Sequence, residues 1–123
     1  MELPDISQPA IVITVDPDAD RRSWRQLLLG MEEEGIPFVL HRVERGNGDT
    51  SPVTLAHQAA SASPLAVGVA VGARELVVHD PHLPADGPLF VLEDYPRLAA
   101  EEIRRLGCNA ARLVKGLPFK FTV

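Results

Sequence analysis

Ala10-Ile11-Val12-Ile13-Thr14-Val15-Asp16-Pro17-Asp18 is the stretch on which the fold turns. An unbroken β-branched run, Ile11 to Val15, sits between Pro9 and an Asp-Pro-Asp turn signal. A run this short, with apolar residues on both alternating sides, reads as a strand buried on both faces. A helix follows at once, because Trp24, Leu27, Leu28 and Met31 recur at i, i+3, i+4, i+7, the spacing of a core-facing stripe. Asp18 or Asp20 can cap its start, and Gly35 with Pro37 beyond it ends it. A doubly buried strand feeding an amphipathic helix is the opening of an α/β fold.

The remainder alternates in the same way. Residues 38–43 form a second strand, and residues 53–62 a smaller helix with Leu55, Ala56 and Ala59 on its apolar side. Residues 65–71 and 75–79 are apolar runs joined by Gly72-Ala73-Arg74, short enough for an antiparallel hairpin. Residues 88–92 supply a fifth strand. Residues 98–115 close the chain as a helix with Ala99, Ile103, Leu106, Ala110, Leu113 and Val114 on one face, and Gly107 is a candidate break within it. Residues 1–9 read as an extended tail and residues 45–52 as an irregular loop. The order predicts one α/β domain over residues 1–123, a three-layer α/β/α sandwich around a mixed five-stranded sheet with one antiparallel strand.

The first helix ends with charge of the wrong sign. Glu32, Glu33 and Glu34 stand at its electronegative C-terminal end, where each exposed carboxylate costs roughly 0.3–1 kcal/mol. At about 100° per residue, Glu32 and Glu34 flank the apolar stripe as surface charge, whereas Glu33 points away from the core. Arg22, Gln26, Leu29 and Gly30 lie on that outward side, a contact surface on which glycine would let a partner's backbone approach. The competing reading is a solvated helix end with one exposed leucine, which is common. The last helix instead follows the dipole, with Arg112 and Lys115 in its final turn before Gly116 and Pro118.

Composition narrows the function classes. The chain has 123 residues, 46% hydrophobic and 24% charged, with a net charge of −5 and a pI near 5.3. That balance argues against a phosphate-backbone binder, so no nucleic-acid partner is expected. No apolar run approaches the roughly 20 residues of a membrane span, and a single cysteine, Cys108, forms no intrachain disulfide. A cytoplasmic location is the expectation. The turn after the first strand, Asp16-Pro17-Asp18-Ala19-Asp20, is acidic and lacks glycine, unlike a dinucleotide or phosphate loop. Gly68 and Gly72 read as close strand packing and a hairpin turn.

The remaining chemistry is sparse. His79 and His82, with Asp80 between them, are a weak metal-ligand candidate without helical i, i+4 register; His41 and His57 stand alone. On a continuous helix Cys108 would face outward beside Arg104, Arg105 and Arg112, an environment that can lower a thiol pKa, but with no base beside it the favoured reading is an ordinary interface or partly buried residue. No complete catalytic set is visible.

Several segments nevertheless resemble one family. Ala10-Ile11-Val12-Ile13, Leu27-Leu28-Leu29-Gly30-Met31-Glu32-Glu33-Glu34-Gly35-Ile36-Pro37-Phe38, Ser63-Pro64-Leu65-Ala66-Val67-Gly68-Val69-Ala70, Leu76-Val77-Val78-His79 and Asn109-Ala110-Ala111-Arg112-Leu113-Val114-Lys115-Gly116-Leu117-Pro118-Phe119 are similar, in order, to the small subunit of diol/glycerol dehydratase reactivating factors. The resemblance implies a fold similar to a dehydratase subunit and no catalysis by this chain. It implies a large ATPase subunit as partner, in an α2β2 assembly, with ATP or ADP on that subunit and no cofactor held by this chain alone. It implies exchange with a subunit of a coenzyme B12-dependent dehydratase, so that damaged cobalamin leaves. It further implies that Glu33, the middle glutamate of the E-E-E-G block, completes a divalent cation site (Mg or Ca) shared with the large subunit; the outward surface that helix geometry assigns to Arg22, Gln26, Leu29, Gly30 and Glu33 is then the expected face for that subunit. Association with a bacterial microcompartment is a further expectation. Two other readings stand beside this one: a structural subunit of the dehydratase itself, disfavoured by the shorter length here, and a small α/β enzyme using His79, His82 or Cys108.

Overall fold

The computed structural model describes residues 8–44 and 50–121. The expected tail and the 45–52 loop lie outside the described residues over 1–7 and 45–49 respectively. The elements run β1 (Ile11–Val15), α1 (Arg21–Glu33), β2 (Phe38–Arg42), α2 (Pro52–Ala62), β3 (Gly68–Val71), β4 (Glu75–His79), β5 (Phe90–Glu93) and α3 (Ala100–Lys115). A short 3-10 turn at Tyr95–Arg97, which the periodicity did not signal, precedes α3.

The five strands form one sheet in the order β2-β1-β3-β4-β5. β1 pairs in parallel with both β2 and β3, whereas β4 is antiparallel to β3 and to β5. One strand of five therefore runs against the rest, as the hairpin predicted. Crossover α1 carries the chain from β1 to β2 and α2 carries it back past β1 to β3, so the two move in opposite directions along the sheet and right-handed connection places them on opposite faces.

The two faces differ in depth. On one, Ile11, Ile13, Val15, Val69, Val71, Leu76 and Val78 meet Trp24, Leu27 and Met31 of α1 and Ile103, Leu106 and Ala110 of α3. On the other, α2 lies close to the sheet through Ala56, which packs with Ala70 and Val77. A Cβ on Gly68 would overlap the backbone of Ala56 and Ala60, so its spacing serves helix packing rather than strand packing.

Local chemistry sets the helix ends. Asp20 is the N-cap of α1: its carboxylate accepts from the Arg22 N–H at 3.1 Å and from the Ser23 hydroxyl at 3.0 Å. Gly35 takes the left-handed conformation (φ +73°) after the last turn, while Ile36 N–H closes back on the Met31 carbonyl. Ser51 caps α2, and Gly116 (φ +69°) terminates α3. Tyr95 is fully buried and donates its hydroxyl to the Gly72 carbonyl at 2.7 Å, bracing the β3–β4 turn; burial pushes its pKa up to about 12.

Gly107 does not break α3. The helix is continuous, and both Gly107 and Gly30 are buried where α1 and α3 cross. A Cβ on Gly107 would overlap the Leu27 carbonyl, and one on Gly30 would overlap the Arg104 carbonyl and reach within 2.7 Å of the Cys108 nitrogen. The glycines are reciprocal notches that admit backbone to backbone.

Candidate functional site

The rim where the C-terminal half of α1 meets α3 holds Glu33, the carboxylate singled out by the sequence. Glu33 lies there with its side chain about half exposed. Its Oε2 accepts the Cys108 thiol at 3.5 Å and its Oε1 lies 3.8 Å from Arg104 Nη1. Arg104 in turn donates to Gln26 Oε1 from Nη2 at 2.7 Å and from Nε at 3.3 Å. A shallow depression bounded by Glu33, Glu101, Arg104, Arg105, Cys108 and Lys120 opens beside this group.

Three of the five expected interface residues are brought together with solvent access, and two are placed differently. Arg22 is exposed, Leu29 is half-buried, and Glu33 shares their side of α1. Gln26 is tied to α3 by Arg104. Gly30, expected on the outward surface, is instead buried beneath this chain's own α3, so the backbone it admits is internal. Periodicity shows which residues turn from the sheet but not that a second helix, remote in sequence, covers one flank.

For Cys108 the structure removes the outward-facing, lowered-pKa alternative and leaves the buried one. It is buried against α1 because α3 carries a second inward stripe, Gly107, Cys108 and Ala111, beside the apolar one that faces the sheet. Burial pushes its thiol pKa up, and the Glu33 carboxylate that accepts its proton pushes it further, opposite to the lowering that nearby arginines can produce. Alkylation of native Cys108 at neutral pH is therefore expected to be at least about tenfold slower than in the urea-unfolded chain. Equal rates in a stopped-flow thiol assay would contradict this burial.

Glu34 was expected to be flanking surface charge and is the best-paired acid of the described residues. Arg112 Nε lies 3.0 Å, Lys115 Nζ 2.8 Å and Lys120 Nζ 3.6 Å from its carboxylate, whose side chain is only 9% exposed. The Lys115 hydrogen bond does most to hold its carboxyl below the usual glutamate range, with Arg112 adding to it against the opposing effect of burial. The basic end of α3 thus neutralises the acidic end of α1, which explains one of the misplaced carboxylates. Asn109 completes this corner: its amide donates to the Lys120 carbonyl at 2.9 Å and accepts the Lys120 N–H, holding the C-terminal segment in place.

The histidines lie elsewhere. His79 is buried, with Nδ1 accepting the Asp80 N–H at 2.9 Å, Nε2 donating to the Ala85 carbonyl at 3.2 Å, and its ring edge-on to His57. Both ring nitrogens are spent on the 80–87 loop. His82 is exposed and bonds Asp80 Oδ1 at 2.8 Å; burial raises the Asp80 carboxyl, but the bonds from His82 outweigh it and the net shift is downward. His79, His82 and Cys108 are not brought together, since His79 faces α2 and Cys108 faces α1.

Glu33 can offer one hard oxygen donor to a divalent cation, and the described residues contain no group of three His, Cys, Asp or Glu side chains able to hold a metal ion. Arg104, Arg105 and Lys120 also line the depression. The Glu33 carboxylate among three basic side chains is not a metal site by itself, and a cation held by Glu33 would take its other ligands from outside this chain's described residues.

Comparison with known proteins identifies the family and the fold. The family model described as dehydratase medium subunit matches residues 8–120. The chain is 50% identical to the propanediol dehydratase-reactivating factor small subunit of Salmonella typhimurium, covering 93% of this chain and 92% of that one. It is 49% identical to the diol dehydratase-reactivating factor small subunit of Klebsiella michiganensis, covering 93% and 86%. A solved structure of a diol dehydratase-reactivating factor complexed with ADP and Mg2+ superposes with a TM-score of 0.83 at 48% identity, covering 94% of this chain and 100% of that one. With a match over nine-tenths of this chain to named small subunits and a shared mixed α/β sheet, the chain belongs to the dehydratase medium-subunit family, among the small subunits of diol and propanediol dehydratase-reactivating factors.

Proposed function

We propose that this chain is the non-catalytic exchange subunit of such a factor. It pairs with a large ATPase subunit in an α2β2 assembly and trades places with a subunit of a B12-dependent diol or glycerol dehydratase, so that damaged cobalamin is released. The supporting observation is a double likeness: the same residues 8–120 match a dehydratase-subunit model while nearly the whole chain matches reactivating-factor small subunits. A protein shaped like the piece it replaces can occupy that piece's site without matching its other contacts. Nucleotide is assigned to the large subunit, and the work is done in the cytoplasm, including bacterial microcompartments.

In this reading the exposed side of α1 faces the large subunit, with Arg22, Leu29 and Glu33 in contact and Gln26 holding Arg104 behind them. Glu33 supplies one carboxylate to a divalent cation whose other ligands are the partner's and water. Arg104 and Cys108 keep the Glu33 side chain at the rim before the partner arrives.

The test is co-expression with the large subunit, followed by reactivation of cyanocobalamin-inactivated dehydratase with ATP, Mg2+ and free coenzyme. Co-purification and restored turnover are expected. Glu33→Gln should weaken Mg2+-dependent association about tenfold or more. It should leave the circular dichroism spectrum and Tm of the isolated chain nearly unchanged, because the carboxylate is half exposed. No association of the wild-type chain with either protein would overturn the reading.

A further inference from the structure

The N-terminal half of α1 carries the opposite error to its C-terminal half. Arg21, Arg22 and Arg25 occupy the electropositive end of the helix, where acidic side chains belong, and α1 has no acidic residue in its first turn. At about 100° per residue they fall within an arc of roughly 100°, beside Leu29 and away from the buried Trp24, Leu27 and Met31. All three are exposed, and none makes a side-chain ion pair or hydrogen bond with another described residue. Arg21 and Arg25 are also an i, i+4 like-charge pair, which disfavours the helix further. Asp20 is committed to capping, accepting from the Arg22 backbone and the Ser23 hydroxyl.

The two errors differ in how the fold treats them. The chain answers Glu34 with Arg112, Lys115 and Lys120, and Glu33 with Arg104 and Cys108. For the three arginines the described residues offer no counter-charge. Three exposed guanidinium groups on a chain of net charge −5 form a local basic patch followed, along the same stripe, by Leu29 and then by Glu32 and Glu33. A polyanion such as nucleic acid or an anionic membrane would meet that carboxylate end unfavourably. A folded protein surface can match both ends, carboxylates against the arginines and a cation against Glu33.

We propose that Arg21, Arg22 and Arg25 dock a cluster of carboxylates on the large subunit, giving the α1 stripe a fixed polarity that sets the direction in which this chain seats. The proposal rests on the reading that the exposed side of α1 faces that subunit. Bidentate guanidinium to carboxylate bonds supply the specificity, and the long-range attraction speeds encounter.

The experiment compares wild type with a triple variant, Arg21→Gln, Arg22→Gln and Arg25→Gln, binding immobilised large subunit in saturating Mg2+ from about 50 to about 300 mM salt. The variant should bind at least about tenfold more weakly at low salt, with much of the loss in the association rate and a flatter salt dependence. Its Tm should be unchanged or raised by about 1–3 °C, since misplaced charge leaves the helix N-terminus. A structural role for the arginines would lower the Tm instead, and weakened binding accompanied by that fall overturns the proposal. Binding within about twofold of wild type with the same salt slope overturns it alone, leaving the α1 interface standing. Failure of the wild-type chain to bind overturns both. A triple variant that loses only concentration-dependent self-association, read by sedimentation, assigns the patch to a second copy and also overturns it.

Discussion

Gly107→Ala is expected to lower the unfolding free energy of the isolated chain by about 3 kcal/mol or more, at the upper end for an overpacked core. The added methyl would overlap the Leu27 carbonyl, which belongs to helix backbone and cannot rotate away as a side chain does. Relief requires α1 and α3 to move apart, which withdraws Trp24, Leu27, Ile103 and Leu106 from contacts made at core density. Gly30→Ala should behave similarly, because its methyl would strike the Arg104 carbonyl across the same crossing. The double variant should cost clearly less than the sum, since one separation of the helices makes room for both. Urea unfolding followed by tryptophan fluorescence measures all three, because Trp24 sits at this face. A loss below about 1 kcal/mol for both single variants would show that the helices do not cross this closely.

Glu34→Gln should remove the second-largest share of stability, about 1–3 kcal/mol at neutral pH, by leaving Arg112, Lys115 and Lys120 clustered without their shared carboxylate. The acid limb provides the sharper signature. Because the folded state holds this carboxyl below its ordinary value near 4.5, the contribution is complete above that value and is lost as pH falls through the lower, folded-state pKa. Wild type should therefore lose stability progressively below about pH 5, and the Gln variant should lose less over the same range. Thermal melts at a series of pH values decide the matter. Identical acid limbs in the two proteins would remove Glu34 from the account.

Much of the fold was legible because its signals are local. The Ile11 to Val15 run, the Asp20 cap, the Gly72 turn and the Gly116 stop each depend on residues within a few positions, and each produced its element within a few residues of the expected bound. The antiparallel β4 followed from the brevity of the turn before it. What stayed hidden is long-range: that α3 covers the flank of α1 decides the fates of Gly30, Gly107 and Cys108, and no periodicity within either helix reports its neighbour. Glu34 illustrates the limit. Its position at a helix end looked like an error, yet the residues that correct it arrive with α3 and the C-terminal segment. Glu33 was legible as an outward carboxylate, while its contacts with Arg104 and Cys108 were not. The signal the sequence does carry is the pair of glycines, each inside an otherwise regular helix.

The adjacency of the first and last helices also imposes an order on synthesis. Gln26 finds Arg104, and Glu34 finds Arg112, across 78 residues of chain. While the ribosome is still making the middle of the protein, β1 and α1 have emerged with Trp24, Leu27 and Met31 exposed and no α3 to cover them. Contacts of such separation form late and slowly, and surface left open meanwhile is prone to misassociation. The nascent chain is therefore most exposed to aggregation just before its final helix leaves the exit tunnel, and truncation within α3 leaves that face uncovered for good.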